Sequence, residues 1–457
     1  LYPKLKIKGG AGVRPHKNSI NNYCYPENPE AGIDLFLEKL VQETEKEHED
    51  ILEQADETDA MFGELYSWYL RNPEYRSRVQ KLVQSAFAGK PEDIISQSVA
   101  KALYGEVSPY SATRLERFAA CAFAHFLQYG MKLTERVEYE FKPMDMGNVM
   151  HEALESFAEE VRKRGMKWTE LTEQERNEIA DRCLDNIVAD YGNTVLKSSA
   201  RNEYMIERTR RILRRTVWAL QKQLEQGEFQ PEGFEVTFGG GRIDRVDIME
   251  DQNKVYVKVI DYKTGNTSFD LVYLYHGLQL QLMIYLDGAL RVEQKKYPDK
   301  EIIPAGVFYY NIKDPMIQEK IDADVEAVSA GLMKELKMNG LAQADPELVY
   351  RMDSSLGSIP VAFNKDGSFR KNSSVADRTQ FAVLGRYVRT KIEKIRSSIL
   401  EGDAEVSPYE LGKKNACTYC PYMTVCGFDR RLSGYEFRRL KNFSDEELWK
   451  AFDREAE

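Results

Sequence analysis

No stretch of 18 consecutive apolar residues occurs in this 457-residue chain, so no membrane-spanning helix is expected. No GxxxxGK[ST] phosphate loop occurs either. The nearest approach, AFAGKPED at 86–93, lacks the first glycine and has Pro91 after Lys90, so the chain by itself is not expected to hydrolyse ATP. Cysteine is scarce. Its six residues, at 24, 121, 183, 417, 420 and 426, are too few for a disulfide scaffold and fit reduced thiols in a cytosol. Basic residues fall short of acidic ones, 64 against 74, for a net charge of −10. That argues against a protein that coats DNA through its overall charge, but it leaves room for a local basic path. The opening LYPKLKIKGG has neither the apolar core of a signal peptide nor an initiator methionine. The chain is therefore expected to act in the cytoplasm and to be a piece of something longer.

What is present describes a globular protein with a sizeable core: 42% hydrophobic and 30% charged residues. Residues 1–29 read as an irregular lead-in, and 30–104 as helical and acidic. A helix opens at SPYSATRLERFAACAFAHFLQYG, with Ser111 as N-cap or Thr113 and Glu116 as a capping box, and with Leu115, Phe118, Ala122 and Phe126 as its apolar stripe. Residues 135–142 alternate like a strand. Helical spacing then runs to about 226. Strands are expected near 234–239, 241–249, 255–262 and 304–312, with helices over about 277–290 and 376–400. Helices, a strand cluster and more helices predict an α/β or α+β domain around one central sheet. The expected divisions are a mainly helical segment over 1–105, a catalytic domain over 106–430 and a tail over 431–457.

The strand VYVKVIDYK ends in an acid and a lysine two positions apart. Val255, Val257, Val259, Asp261 and Lys263 share one face by alternation. The run GRIDRVDIME reads as its antiparallel partner. A turn at 251–254 sets Glu250 against Val255 and, further along both strands, Asp244 opposite Asp261, with Cβ atoms roughly 5 Å apart. Two carboxylates so close repel unless a cation lies between them or one is protonated. Oxygen ligands suit Mg²⁺ or Mn²⁺. Asp247 points to the other face. A D-x-K alone is common in so charged a chain, but MGNVMHEAL adds His151 four residues after Gly147, and GLQLQLMIYL adds Gln281 and Tyr285 on one helical face.

G-x-x-x-H, G-x-I-D, D-Y-K and Q-x-x-x-Y in this order resemble the RecB-type nucleases of the PD-(D/E)xK superfamily over about residues 108–430. The resemblance implies a RecB-like core with a central mixed sheet flanked by helices. It implies His151, Asp244 and Asp261 as metal ligands, the carbonyl of Tyr262 as a further contact and Lys263 as the catalytic lysine. Gln281 and Tyr285 would bind the DNA strand or shape the site. Asp244 follows Ile243 where the superfamily's name has proline, as is usual in this branch.

NACTYCPYMTVCGF holds Cys417, Cys420 and Cys426, a grouping that points to a metal site. Cys121 is the first candidate for the fourth ligand, with Cys24 and Cys183 as alternatives. Zinc and [4Fe–4S] both accept four thiolates. Here the chain resembles AddB-type nuclease domains, which implies a structural [4Fe–4S] cluster on Cys121, Cys417, Cys420 and Cys426. The phrase PAGVFYYNIKDP carries the same resemblance.

On RNEYMIERTRRILRRTVWALQKQL, Arg208, Arg211, Arg215 and Lys222 lie along one face and are read as a phosphate-tracking wall. The function implied is a Mg²⁺-dependent DNA exonuclease. It would work beside an AddA-type helicase–nuclease subunit, on the 5′-ended strand threaded from a duplex end, in recombinational double-strand-break repair. The competing readings are a free-standing iron–sulfur nuclease of the kind acting in CRISPR spacer acquisition and a DNA-binding scaffold with a spent site.

Overall fold

The computed structural model describes residues 29–45, 57–86, 94–105, 111–134, 143–190, 199–239, 241–317, 324–431 and 434–456. The strand expected over 135–142 and Cys24 lie outside the described residues. Two units are distinguished. The smaller holds residues 1–93, 405–407 and 423–438, and the larger holds the rest.

In the smaller unit, α1 (Pro29–Glu45), α2 (Glu57–Arg71) and α3 (Pro73–Ala86) bury Ile33, Phe36, Leu40, Leu65, Tyr69 and Val79 in a core of their own. In the larger unit, α4 (Gln97–Tyr104) leads to α5 (Ala112–Ala120) and α6 (Ala122–His125). Ser111 caps α5 by accepting from the Arg114 N–H, so the first of the two capping options is the one used. The long helix expected here is interrupted at Cys121, whose extended backbone (φ −166°, ψ 118°) separates α5 from α6. The helices α7 (Pro143–Lys163), α8 (Glu173–Asp190) and α9 (Ala200–Glu225) follow.

The sheet begins with β1 (Gln230–Phe238), β2 (Gly241–Asp251) and β3 (Lys254–Lys263), all antiparallel. After α10 (Leu271–Tyr275) and α11 (Gln281–Lys296), β4 (Glu301–Asn311) returns parallel to β3. Next come α12 (Val325–Glu335), β5 (Asn339–Gln343), α13 (Pro346–Met352) and β6 (Val375–Ala376), completing a six-stranded mixed sheet in sequential order. Then α14 (Arg378–Glu401) runs from a capping box at Asp377 and Gln380 to Gly402, whose left-handed backbone (φ 93°) stops it. A small sheet of β7 (Tyr409–Leu411), β8 (Lys414–Asn415) and β9 (Arg438–Arg439), with α15 (Met423–Cys426) and α16 (Asp445–Ala456), ends the chain.

Alternation along β3 serves two cores. Val255, Val257 and Val259 pack with α5, α11 and α14, while Ile260 and Tyr262 pack with α7, α8 and α9. Two segments fall elsewhere than the sequence divisions. Ala100 and Tyr104 of α4, expected in the lead-in, and Leu448, Ala451 and Phe452 of α16, expected in the tail, are buried in the core of the larger unit. Their apolar faces are what the sheet side lacks once α14 is in place.

Candidate active site

The β2–β3 hairpin sets the level of the site. The turn is tighter than expected: Asp251 pairs with Lys254, and Gln252 adopts φ 46° to close it. The register is nevertheless the one the sequence predicts. Glu250 lies against Val255, and Arg245 against Ile260. One step further, Asp244 accepts a hydrogen bond from the backbone N–H of Tyr262 at 2.7 Å. Asp261 is buried on the neighbouring strand, and its Oδ2 meets Lys263 Nζ at 2.6 Å. Burial, then the charge of Asp244, pushes the Asp261 carboxyl up to about 7, with Lys263 and His151 pulling the other way.

His151 reaches the strands from α7. Gly147, one turn earlier, explains how: a Cβ there would stand 3.3 Å from the Thr264 hydroxyl, so glycine lets the helix approach the end of β3. The imidazole Nδ1 lies 3.4 Å from Asp244 Oδ2. Burial alone would depress this histidine, but its hydrogen bonds with Asp244 and Glu235 outweigh burial and push it up to about 10.

Glu235 is the residue that the sequence reading missed. On β1, Phe234 pairs with Arg245 and Val236 with Ile243, which sets Glu235 against Asp244. Glu235, Asp244 and Asp261 therefore form a row across three adjacent strands. Glu235 Oε1 is 3.8 Å from His151 Nδ1, and its other oxygen pairs with Arg242. Ligand atoms of His151, Glu235 and Asp244 all lie within 4.8 Å of one another, whereas Asp261 is turned to Lys263. The left-handed backbone of Glu235 (φ 48°) and the register shift between Pro231 and Gly233 hide this alignment from simple strand counting.

Lys263 Nζ donates to Gln281 Oε1 at 2.7 Å, and Gln281 Nε2 to the Tyr285 hydroxyl at 2.9 Å. The D-x-K and Q-x-x-x-Y stretches thus meet through side chains. Tyr262 buries its ring edge-on to His151. Asp247, set aside as a ligand, is fully buried on the other face between Arg245 (2.5 Å) and Lys258 (2.9 Å).

The arginines of α9 divide into two rows. Arg210 and Arg214 are tied to Asp181 and Asp185 of α8. Arg208, Arg211 and Arg215 line a cleft of about 720 Å³ together with Tyr204 and Trp218. Arg211 also pairs with Asp314 just beyond β4, and Lys222 is held by Glu225.

The cysteines fall in three settings. Cys121 packs with Ala124, Leu127, Tyr422 and the half-buried Cys420. Cys417 lies three residues before Cys420, and its N–H donates to Asn415. Cys426 belongs to the smaller unit, where its sulfur accepts from the Phe428 N–H. Cys183 lies apart from Cys121, in the α7–α8–α9 core beside Ser156.

Residues 109–427 match the model of the PD-(D/E)XK nuclease superfamily. The chain belongs to that superfamily. Within this PD-(D/E)XK chain, 425 residues are 41% identical to AddB, the ATP-dependent helicase/deoxyribonuclease subunit of Lachnoclostridium phytofermentans, covering 88% of this chain and 36% of that protein. The same subunit of a Thermoanaerobacter species is 33% identical over 425 residues, covering 88% and 37%. That of Alkaliphilus metalliredigens is 34% identical over 424 residues, covering 87% and 37%. The chain spans little more than a third of the length of these curated relatives. Among the described residues, no helix is long and apolar enough to cross a membrane.

Proposed function

We propose that this chain is the nuclease part of an AddB-type protein, a Mg²⁺- or Mn²⁺-dependent DNA exonuclease. It resects the 5′-ended strand, fed as a single strand from a duplex end, in recombinational double-strand-break repair. Its partner is an AddA-type helicase–nuclease that carries the motor, and the pair acts in the cytoplasm. The observation that carries the reading is the row Glu235, Asp244 and Asp261 on adjacent strands, with His151 against it and Lys263 on Asp261. The similarity to AddB proteins along 88% of the chain favours this over a free-standing nuclease.

His151, Asp244, Asp261 and the carbonyl of Tyr262 would hold the cation, with Glu235 as a further carboxylate. The donor set fits: it is mostly oxygen, as Mg²⁺ and Mn²⁺ require, and the carboxylates repel without a cation. When bound, the cation polarises a phosphate oxygen and acidifies water. Lys263 keeps its ammonium at the Asp261 carboxylate, where it can donate to the attacking water or to a phosphate oxygen gaining charge. Gln281 accepts from Lys263 and keeps it aimed, and Tyr285 in turn accepts from Gln281. Arg208, Arg211 and Arg215 bind backbone phosphates, with Tyr204 and Trp218 offering rings to bases. Cys121, Cys417, Cys420 and Cys426 are the ligands of a structural [4Fe–4S] cluster. The extended backbone that separates Cys121 from the helix, and its shared apolar core with Cys420, suit that role.

The test is release of nucleotides from a 5′-labelled duplex with a frayed end. The expected result is release in Mg²⁺, none in chelator, and a loss of at least about 1,000-fold in Asp261→Ala, the scale of removing a group that stabilises transition-state charge. Chelator-resistant cleavage, or full activity in Asp261→Ala, would overturn the reading.

A further inference from the structure

Glu116 lies on α5, outside all four motifs that define the site. Its carboxylate is nevertheless bonded to the start of α11. Oε1 accepts from the backbone N–H of Leu280 at 2.7 Å and of Gln281 at 3.0 Å. A helix begins with N–H groups that have no partner within it, and a side chain just before the first turn normally supplies one. Here the N-cap residue is Leu280, which has no polar side chain, and α11 has no side-chain cap of its own. The cap is supplied instead by a residue 164 positions earlier.

The residue held by that cap is Gln281, and Gln281 is the neighbour that accepts from Lys263 at 2.7 Å. The chain of contacts runs from Glu116 to the α11 backbone, through the Gln281 amide to Lys263, and on to Asp261 at 2.6 Å. We infer that Glu116 is a positioning residue of the nuclease site: by capping α11 from α5, it fixes Gln281 and through it the ammonium of Lys263. The inference rests on the reading of Lys263 given above.

A purely local cap would serve helix stability equally well, since a serine or aspartate at position 280 would satisfy the same N–H groups. A buried glutamate is the harder choice, because burial pushes its carboxyl up to about 7 even with two N–H bonds and Lys263 pulling it down. What Glu116 provides that a local cap does not is a rigid tie between two elements. Three residues along from Glu116, Ala119 faces Gly277 on the segment that leads into α11, at 3.2 Å from where a Cβ there would stand. The tie thus lies within a close contact between α5 and that segment.

Two measurements separate positioning from general stability. The first is steady-state cleavage of a labelled oligonucleotide in Mg²⁺. Glu116→Ala is expected to lower kcat by about 10- to 100-fold, the scale for losing a placed catalytic proton donor, with KM within about twofold. Glu116→Gln, whose amide oxygen still accepts both N–H groups, is expected to stay within about threefold of the unsubstituted protein. Glu116→Ala combined with Gln281→Ala is expected to be no slower than Gln281→Ala alone. The second is amine labelling of Lys263 read by mass spectrometry, which needs no turnover. Glu116→Ala is expected to speed labelling of Lys263 several-fold while leaving Lys222 unchanged. Unchanged Lys263 labelling, or kcat losses that multiply in the double variant, would overturn the inference. Full turnover in Lys263→Ala would instead sink the catalytic reading of the lysine, and the labelling would still report on the tie.

Discussion

Asp261 and Glu116 are two carboxyls, both pushed up to about 7 chiefly by burial, within one site. Each holds its proton more tightly folded than unfolded. The stability this contributes is fully present below the unfolded pKa, near 4, and is lost as the pH rises through about 7. Above that, the negative charges face one another, and a bound divalent cation offsets their repulsion. Mg²⁺ is therefore expected to raise the melting temperature more at about pH 8 than at about pH 5.5. Thermal melts followed by circular dichroism at the two pH values check this, and equal increments would contradict it. Most of this chemistry could be read from single residues. Asp244, Asp261, Lys263, His151, Gln281 and Tyr285 come from short stretches whose spacing on a strand or helix fixes which side chains share a face. Glu116 was read only as part of a capping box for its own helix, because its real partners lie in a distant element and no local pattern encodes them.

At the scale of elements, the register of β2 on β3 was legible because the turn between them is short and its ends are charged. The register of β1 on β2 was not. Three consecutive glycines, Gly239 to Gly241, leave the turn unmarked, and the shift between Pro231 and Gly233 alters the count, so Glu235 escaped notice. The break at Cys121 was likewise invisible, since the apolar stripe continues unbroken through it. On the opposite face of the sheet, Asp247 lies fully buried with two cations, Arg245 and Lys258, and the rings of Trp168, Phe234 and Phe229 cover them. Removing the one carboxylate leaves two uncompensated buried charges. Asp247→Asn is expected to destabilise the fold by about 3–5 kcal/mol, read from the urea midpoint at unchanged slope. A loss below about 1 kcal/mol would mean that this trio is not part of the folding core.

For the molecule as a whole, net charge misled least where it was read locally. A chain of net −10 still presents Arg208, Arg211 and Arg215 on one cleft, because its acids are engaged elsewhere, on Arg210 and Arg214 among others. The division into units was the least legible feature, since α16 and α4 reach the core through contacts far apart in sequence. The account as a whole depends on one divalent cation held by residues from three strands and a helix. Calorimetric titration with Mn²⁺ tests this most directly, in the unsubstituted protein and in Asp244→Ala, Asp261→Ala and Glu235→Gln. The account predicts saturable binding that weakens by at least about tenfold in each alanine variant and to a smaller degree in Glu235→Gln. Binding of unchanged affinity in Asp244→Ala and Asp261→Ala, or no binding by the unsubstituted protein, would contradict it.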